Sequence, residues 1–376
     1  MRDATVELLK DLVAIDSVNP SLVQGGAGES AIAERVAREL RASGLDVVIQ
    51  EAAPGRPNVV GVLEGAAPGP SLMLCGHSDT VGVEGMDGPF TPREQDGRLY
   101  GRGTQDMKGG VASILGAARA LARDGWPAGR LLVAIVADEE YASVGAEALV
   151  GKWRADAAIV TEPTDLAIAV GHKGFEWIEI TTRGVAAHGS RPDDGVDAIL
   201  MMGRVLARLA DLDRGFTTTP GHPLLGRRSL HASLVEGGRE LSTYPDRCTL
   251  KIERRTLAGE PARSGYQEVE DLLGELRVED PGFLAEARPM FERKAYLTPE
   301  GHPLPRLLHE ALGGRTRTMG ASFWTDAAIL GEAGAASVIF GPGGAGLHGL
   351  EEYVNLAEVL ACRDALSHAA RAFCAS

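Results

Sequence analysis

The chain has 376 residues, 44% of them hydrophobic and 24% charged, with a formal net charge of -14. That length is comfortable for two domains with separate cores, the composition is that of a folded rather than a disordered protein, and a negative balance without any basic run argues against a nucleic-acid partner. No apolar run approaches the roughly 20 residues of a membrane helix, Met1 to Lys10 reads as an amphipathic helix rather than a signal peptide, and Cys75, Cys248, Cys362 and Cys374 are scattered as free thiols of a reducing compartment would be, which predicts the cytoplasm.

Apolar positions recur at helical spacing from Asp3 to Ile15, and a second helix from Glu29 ends at Gly44, a glycine suited to closing it. Asp46 to Gln50 and Asn58 to Leu63 read as strands. Ser71 to Gly76 is a short apolar run that stops at His77-Ser78-Asp79; residues two apart on an extended segment share a face, so His77 and Asp79 point the same way. Gly101 to Gly110 then sets one carboxylate, Asp106, among glycines and leads into a helix over Val111 to Ala122. Leu131 to Ala137 is an unbroken apolar strand of the kind buried on both faces, and it ends in Asp138-Glu139-Glu140. Ala157 to Val160 is another, ending in Thr161-Glu162-Pro163. Strands alternating with helices predict a largely parallel sheet, and such sheets bind ligands outside the carboxyl ends of their strands.

The pattern changes near His172. Phe175 to Thr182 alternates apolar and polar, as a strand covered on one face does. Gly184 to Pro192, with His188, follows. Next come a helix from Val196 to Leu209, a polar loop around Thr217 to Gly226, strands near Ser229–Leu234 and Arg247–Arg254, and a helix from Gln267 to Leu276. This reads as a compact α+β domain over 175–291, inserted into a first domain formed by 1–174 and 292–376. The last part returns to the pattern of the first domain, with helices over Leu304–Leu312 and Ser322–Ala333, then Ser337–Phe340 as a strand running through Gly341–Gly346 to His348, and a closing amphipathic helix over Leu356–Phe373. The predicted fold is therefore α/β, a mixed and largely parallel sheet flanked by helices, with an α+β insertion.

Two imidazoles, His77 and His348, and the carboxylates Asp106, Glu139, Glu140 and Glu162 are thus expected at one rim. Carboxylates so crowded repel and take up protons unless cations lie among them. Nitrogen and oxygen donors without thiolate suit zinc first, and cobalt or manganese after it. With Asp106 bridging two ions, each ion keeps one His and one Glu of its own. Three ligand carboxylates against two dications leave about one positive charge, which a hydroxide would neutralise. Of the adjacent Glu139 and Glu140, one then ligates while the other faces the water as general base, which is the layout of a hydrolase. A metal-binding oligomeric module without turnover is the rival from another class, and the extra carboxylate counts against it.

Gly76-His77-Ser78-Asp79-Thr80, Gly101 to Gly110, Asp138-Glu139-Glu140, Thr161-Glu162-Pro163 and the late His348 resemble the motifs of the M20 family of di-metal amidohydrolases and peptidases, which includes acetylornithine deacetylase and succinyl-diaminopimelate desuccinylase. The resemblance spans essentially the whole chain. It implies that His77 and Glu162 hold one metal and Glu140 and His348 the other, and that Asp106 bridges them and is joined to Met107 by a cis peptide. It also makes Asp79 the partner of His77, and Glu139 the general base. The insertion becomes a lid that also dimerises, and His188 reaches the neighbouring subunit's site to stabilise the oxyanion. Arg255, with Arg254 as a competitor, resembles the arginine that binds the substrate carboxylate, where a planar fork pairs best; Gly341 to Gly344, Gly343 among them, would offer amides to the same group. Where many relatives carry N-x-x-P-D in the lid, this chain has Ser242-Thr243-Tyr244-Pro245-Asp246, so Ser242 stands where a longer amide is usual. The implied activity is zinc-dependent hydrolysis of a small N-acyl amino acid by a cytoplasmic homodimer, with a carboxypeptidase or dipeptidase of the same family as the alternative.

Overall fold

The structure is a computed structural model that describes residues 3–375. Met1 and Arg2, where the expected N-terminal amphipathic stretch begins, lie outside the described residues. Two compact units are present. The first runs to Val170 and resumes at Thr298–Met319 and from Thr325 onward; the second comprises Gly171–Leu297 with Gly320–Trp324.

In the first unit the sheet order is Asp46–Ala53, Arg56–Glu64, Ala128–Val136, Ala67–His77, Ala157–Val160, Ala336–Ile339, and then the strand that starts at Ile168. Ala128–Val136, Ala67–His77, Ala157–Val160 and Ala336–Ile339 run parallel to one another, while the hairpin of Asp46–Ala53 and Arg56–Glu64 is antiparallel at one edge. The parallel strands are apolar without alternation because both faces are covered: Leu72, Leu74, Leu131 and Val133 on one face and Met73, Leu132, Ala134 and Ala158 on the other are all buried. The helices Ala4–Val13, Ser30–Ala42, Gly109–Arg123, Pro303–Ala311 and Leu356–Cys374 add Leu9, Ile32, Ile114, Leu308 and Leu366 to the same core. This is the α/β architecture expected from the alternation of strands and helices. A smaller antiparallel sheet joins Arg93–Gln95, Arg98–Tyr100, Tyr353–Asn355 and Gly344–Ala345, and it pairs Tyr100 with Tyr353.

The second unit is a four-stranded antiparallel sheet in the order Ser229–Gly237, Arg247–Thr256, Gly174–Arg183, Ala285–Arg293. Helices Ala198–Thr218 and Ser264–Glu279 bury Met202, Val205 and Leu273 against Ile178, Ile180, Leu250 and Ile252 on one face. Its bounds fall outside the expected 175–291 because Tyr296 and Leu297 pair with His172 and Gly171, tying the two ends together. The strand Ala285–Arg293 was not expected. Its apolar residues do not alternate, and Pro289 is tolerated because the strand lies at the sheet edge and shifts register between Pro289 and Phe291. The helix expected over Ser322–Ala333 is confined to Ala327–Glu332, with a strand at Thr318–Ala321 before it. Ala198–Thr218 outruns its expected end at Leu209.

Candidate metal centre

The five predicted metal ligands and the predicted base Glu139 all lie in the first unit, and all but Asp106 lie at or follow the carboxyl ends of its parallel strands. His77 closes its own strand, opposite Val136; Val160 pairs with Cys75 and with Ile339. The chain segments that follow these level ends carry Glu139 and Glu140, Glu162, and His348. Asp106 arrives from the glycine-rich segment, where Gly103 is left-handed at φ 77° and the Asp106–Met107 peptide is cis.

Asp106 stands between the two imidazoles. Its Oδ1 is 3.1 Å from His77 Nε2, and its Oδ2 is 3.3 Å from His348 Nε2. Glu140 Oε2 is 3.2 Å from the same His348 nitrogen, and Glu162 Oε1 and Glu139 Oε2 lie 3.8 and 3.9 Å from His77 Nε2. Ligand atoms of His77, Glu139 and Glu162 fall within 4.8 Å of one another, as do those of His77, Asp106 and Glu140. One oxygen each of Glu140 and Glu162 is buried without a hydrogen-bond partner. Leaving such an atom unpaired costs about 1–3 kcal/mol or more, and a cation among these carboxylates would satisfy both. The donor set therefore fits divalent metal.

The electrostatics agree. Burial, reinforced by Glu162, raises the Glu139 carboxyl well above its ordinary range, and burial does the same to Glu162 against the opposing pull of His77. Burial and the Asp106 charge push Glu140 up to about 7. Burial alone would raise Asp106, but His348 and His77 hold it well below the usual carboxylate range. Conversely, hydrogen bonds to Asp106 and Glu140 carry His348 up to about 10. The field that draws protons onto these imidazoles also attracts a dication, and binding one displaces the protons.

Asp79 lies beside His77, as expected, and meets it through its backbone carbonyl as well as its carboxylate. His77 Nδ1 lies 3.0 Å from the Asp79 backbone carbonyl and 3.6 Å from its carboxylate, so the carbonyl is the nearer partner and Nε2 is left facing the site. The Asp79 carboxylate also accepts the backbone N–H groups of Glu139 and Glu140, both at 3.2 Å, and the Asn19 side-chain amide at 2.8 Å. Asn19 also donates to Asp138 at 3.1 Å, and Arg56 donates to Asp138 at 2.9 Å while gripping Glu29 through two nitrogens. Asn19, Arg56 and Glu29 were not legible as site residues. Each is an ordinary polar residue in sequence, and only their burial together marks them.

Gly343 is in the first unit, but its N–H already donates to Glu358 at 2.8 Å. It is glycine because a Cβ would strike Asp165 at 1.8 Å, so the donor expected for a substrate carboxylate is committed within the fold. In the second unit His188 is exposed, with Nδ1 2.8 Å from Ser190 Oγ. Exposed Ser242 accepts the Gly189 N–H through its carbonyl at 2.7 Å. Arg254 is fully buried in ion pairs with Glu260 and Glu268, both at 2.9 Å. Arg255 keeps a side chain 29% exposed, held by Glu253 at 2.6 Å over the Phe175 ring. Of the adjacent arginines, Arg255 is the one free to meet a ligand.

The model of the family described as peptidase family M20/M25/M40 matches residues 73–372. An acetylornithine deacetylase of Myxococcus xanthus is 34% identical over 340 residues, covering 87% of this chain and 86% of the relative. Among solved structures, a tripeptidase from Staphylococcus aureus subsp. aureus Mu50 superposes with a TM-score of 0.82 at 21% identity, covering 99% of this chain and 98% of that one. A dinuclear metal-binding M20 peptidase from Bacillus subtilis gives 0.75 at 16% identity, with 99% and 98% covered.

Proposed function

The chain belongs to peptidase family M20/M25/M40, hydrolases of amide bonds, and from that membership we propose that it cleaves small N-acyl amino acids with two divalent ions held around Asp106. The observation that carries the reading is the position of Asp106, whose two oxygens face His77 and His348 at 3.1 and 3.3 Å. His77 and Glu162 would hold one ion, and Glu140 and His348 the other. These nitrogen and oxygen donors suit zinc, and also accept cobalt or manganese. Such ions, when bound, polarise the scissile carbonyl and make a water acidic near neutral pH. The chain's own residues do the rest. Glu139 takes the proton of the attacking water and delivers it to the leaving amine. Asp79 fixes the backbone from which Glu139 and Glu140 diverge. His188 would reach the oxyanion in the neighbouring subunit's site, and Arg255 would pair with the substrate's α-carboxylate through its planar fork. Ser242, whose carbonyl accepts the Gly189 N–H next to His188, would offer a hydroxyl of short reach.

The test uses apo protein reloaded with zinc or cobalt, presented with N-acetyl, N-succinyl and N-carbamoyl amino acids and with dipeptides. One acyl class should be cleaved, chelation should abolish turnover, and either metal should restore it. Cleavage of dipeptides alone, with a requirement for a free α-amine, would replace the deacylase by a peptidase. Two bound ions with no turnover on any substrate would favour the non-catalytic module.

A homodimer through the second unit belongs to the same reading. Ser229–Gly237 is an edge strand, with Leu234 64% and Val235 62% exposed. An open apolar edge invites strand addition by a second copy. Leu234→Lys is expected to convert a dimer into a monomer by light scattering while circular dichroism stays unchanged. A wild-type protein that is already monomeric at the same concentration overturns the dimer.

A further inference from the structure

Glu352 is 1% exposed, and no step of the proposed reaction uses it. Its two carboxylate oxygens accept four donors from a single short segment: the N–H groups of Gly103 at 2.9 Å, Gln105 at 2.8 Å and Asp106 at 3.1 Å, and the Arg102 guanidinium at 2.7 Å. Its backbone carbonyl accepts a fifth, the Gly101 N–H at 3.1 Å. The segment needs them. Gly103, Gln105 and Asp106 open the helical turn Thr104–Lys108, where the first N–H groups have no acceptor within the helix. Arg102, 3% exposed, extends the link by donating to the Gly349 carbonyl at 2.9 Å, one residue beyond His348. His348 is itself held at φ +58°, a conformation that a non-glycine residue keeps only when its surroundings impose it. The paired strands Arg98–Tyr100 and Tyr353–Asn355 bring the two loops side by side.

We propose that Glu352, with Arg102, is a positioning residue that locks the Asp106 loop to the His348 loop, so that both oxygens of Asp106 and the His348 imidazole are in place before any ion arrives. The inference rests on the metal reading above. Asp106 serves both ion positions, but the His348 side takes two of its groups from the clamped loops. The His77 side takes His77 and Glu162 from strand ends that Glu352 does not touch. Loss of the clamp therefore weakens the two positions unequally.

The experiment is calorimetric titration of the apo chain with Zn²⁺, repeated with Co²⁺ while following its visible absorption, on wild type, Glu352→Gln and Arg102→Lys. Leu366→Ala, a core variant in the helix Leu356–Cys374 that makes none of the hydrogen bonds of the clamp, serves as a control for general destabilisation. Wild type should take up two ions. Both clamp variants should retain the first and lose at least tenfold in affinity for the second, with Glu352→Gln the more affected because its amide presents a donor to donors. Leu366→Ala should lower the melting temperature without splitting the two affinities. Wild-type affinity for both ions in Glu352→Gln and Arg102→Lys overturns the positioning role while leaving the metal reading intact. A split of the same size in Leu366→Ala overturns it as well. Fewer than two ions bound by wild type overturns the metal reading and this inference with it.

Discussion

Replacing Glu139 by Gln is expected to lower kcat/KM by about 10²- to 10⁴-fold, the range a positioned proton acceptor contributes, while the chain still binds two ions. In barrier terms that is about 3–5 kcal/mol. The expectation follows from how the two adjacent glutamates are held. Both backbone N–H groups end on the Asp79 carboxylate at 3.2 Å, yet the side chains part: Glu140 reaches His348 at 3.2 Å, and Glu139 turns to the His77 side at 3.9 Å. Burial and Glu162 raise the Glu139 carboxyl, and bound cations would draw it back toward the neutral range in which a base is most effective. Its ligand atom is also close enough to those of His77 and Glu162 to join a metal set, all within 4.8 Å. Metal content therefore decides between the roles. Two ions retained with lost turnover and little change in KM identify a base; one ion lost together with activity makes Glu139 a ligand and leaves the proton without this acceptor.

The residues around Asp106 were legible for a topological reason. Parallel strands buried on both faces announce themselves as unbroken apolar runs, and whatever polar residues follow them are delivered to one edge; that logic brought His77, Glu139, Glu140, Glu162 and His348 together without any contact being known. What supports them was not legible. Arg102 and Glu352 are 250 positions apart in the chain, and in sequence a buried ion pair looks the same as two solvated charges. The strand Ala285–Arg293 escaped for a related reason, since an exposed edge strand need not alternate and a proline is acceptable there. The Asp79 carboxylate lies within 3.6 Å of His77 as its spacing predicts, but the nearer atom is its carbonyl, and the carboxylate also takes Asn19 and the backbone of residues 139 and 140. Alternation gives the face a side chain shares; it does not give the atom it meets.

Arg56→Ala is expected to destabilise the apo first unit by about 3–5 kcal/mol, the usual cost of stranding buried charge. Arg56 donates to Glu29 at 2.7 and 2.5 Å, to Asp138 at 2.9 Å and to Ser21 at 3.0 Å. Glu29 and Asp138 have side chains only 0% and 2% exposed. Burial already lifts the Glu29 carboxyl above its ordinary range with Arg56 beside it, so without Arg56 it must take a proton or draw in water. Asp138 keeps Asn19 and the Val144 N–H as partners, which makes Glu29 the group most exposed to the loss. Urea unfolding should place Arg56→Ala well below wild type, and Arg56→Leu combined with Glu29→Leu should lose less than the single change, because the stranded charge goes with its partner. Equal losses in the two variants would assign the cost to packing around the arginine stem rather than to charge, and a change under about 1 kcal/mol in Arg56→Ala would remove the ion pair from the account of stability. The network ends at Asp79, on which the Glu139 and Glu140 amides rest. Arg56→Ala should therefore also reduce turnover at temperatures where the protein remains folded, and the double variant, which does not restore the Arg56–Asp138 contact, should recover stability more than rate.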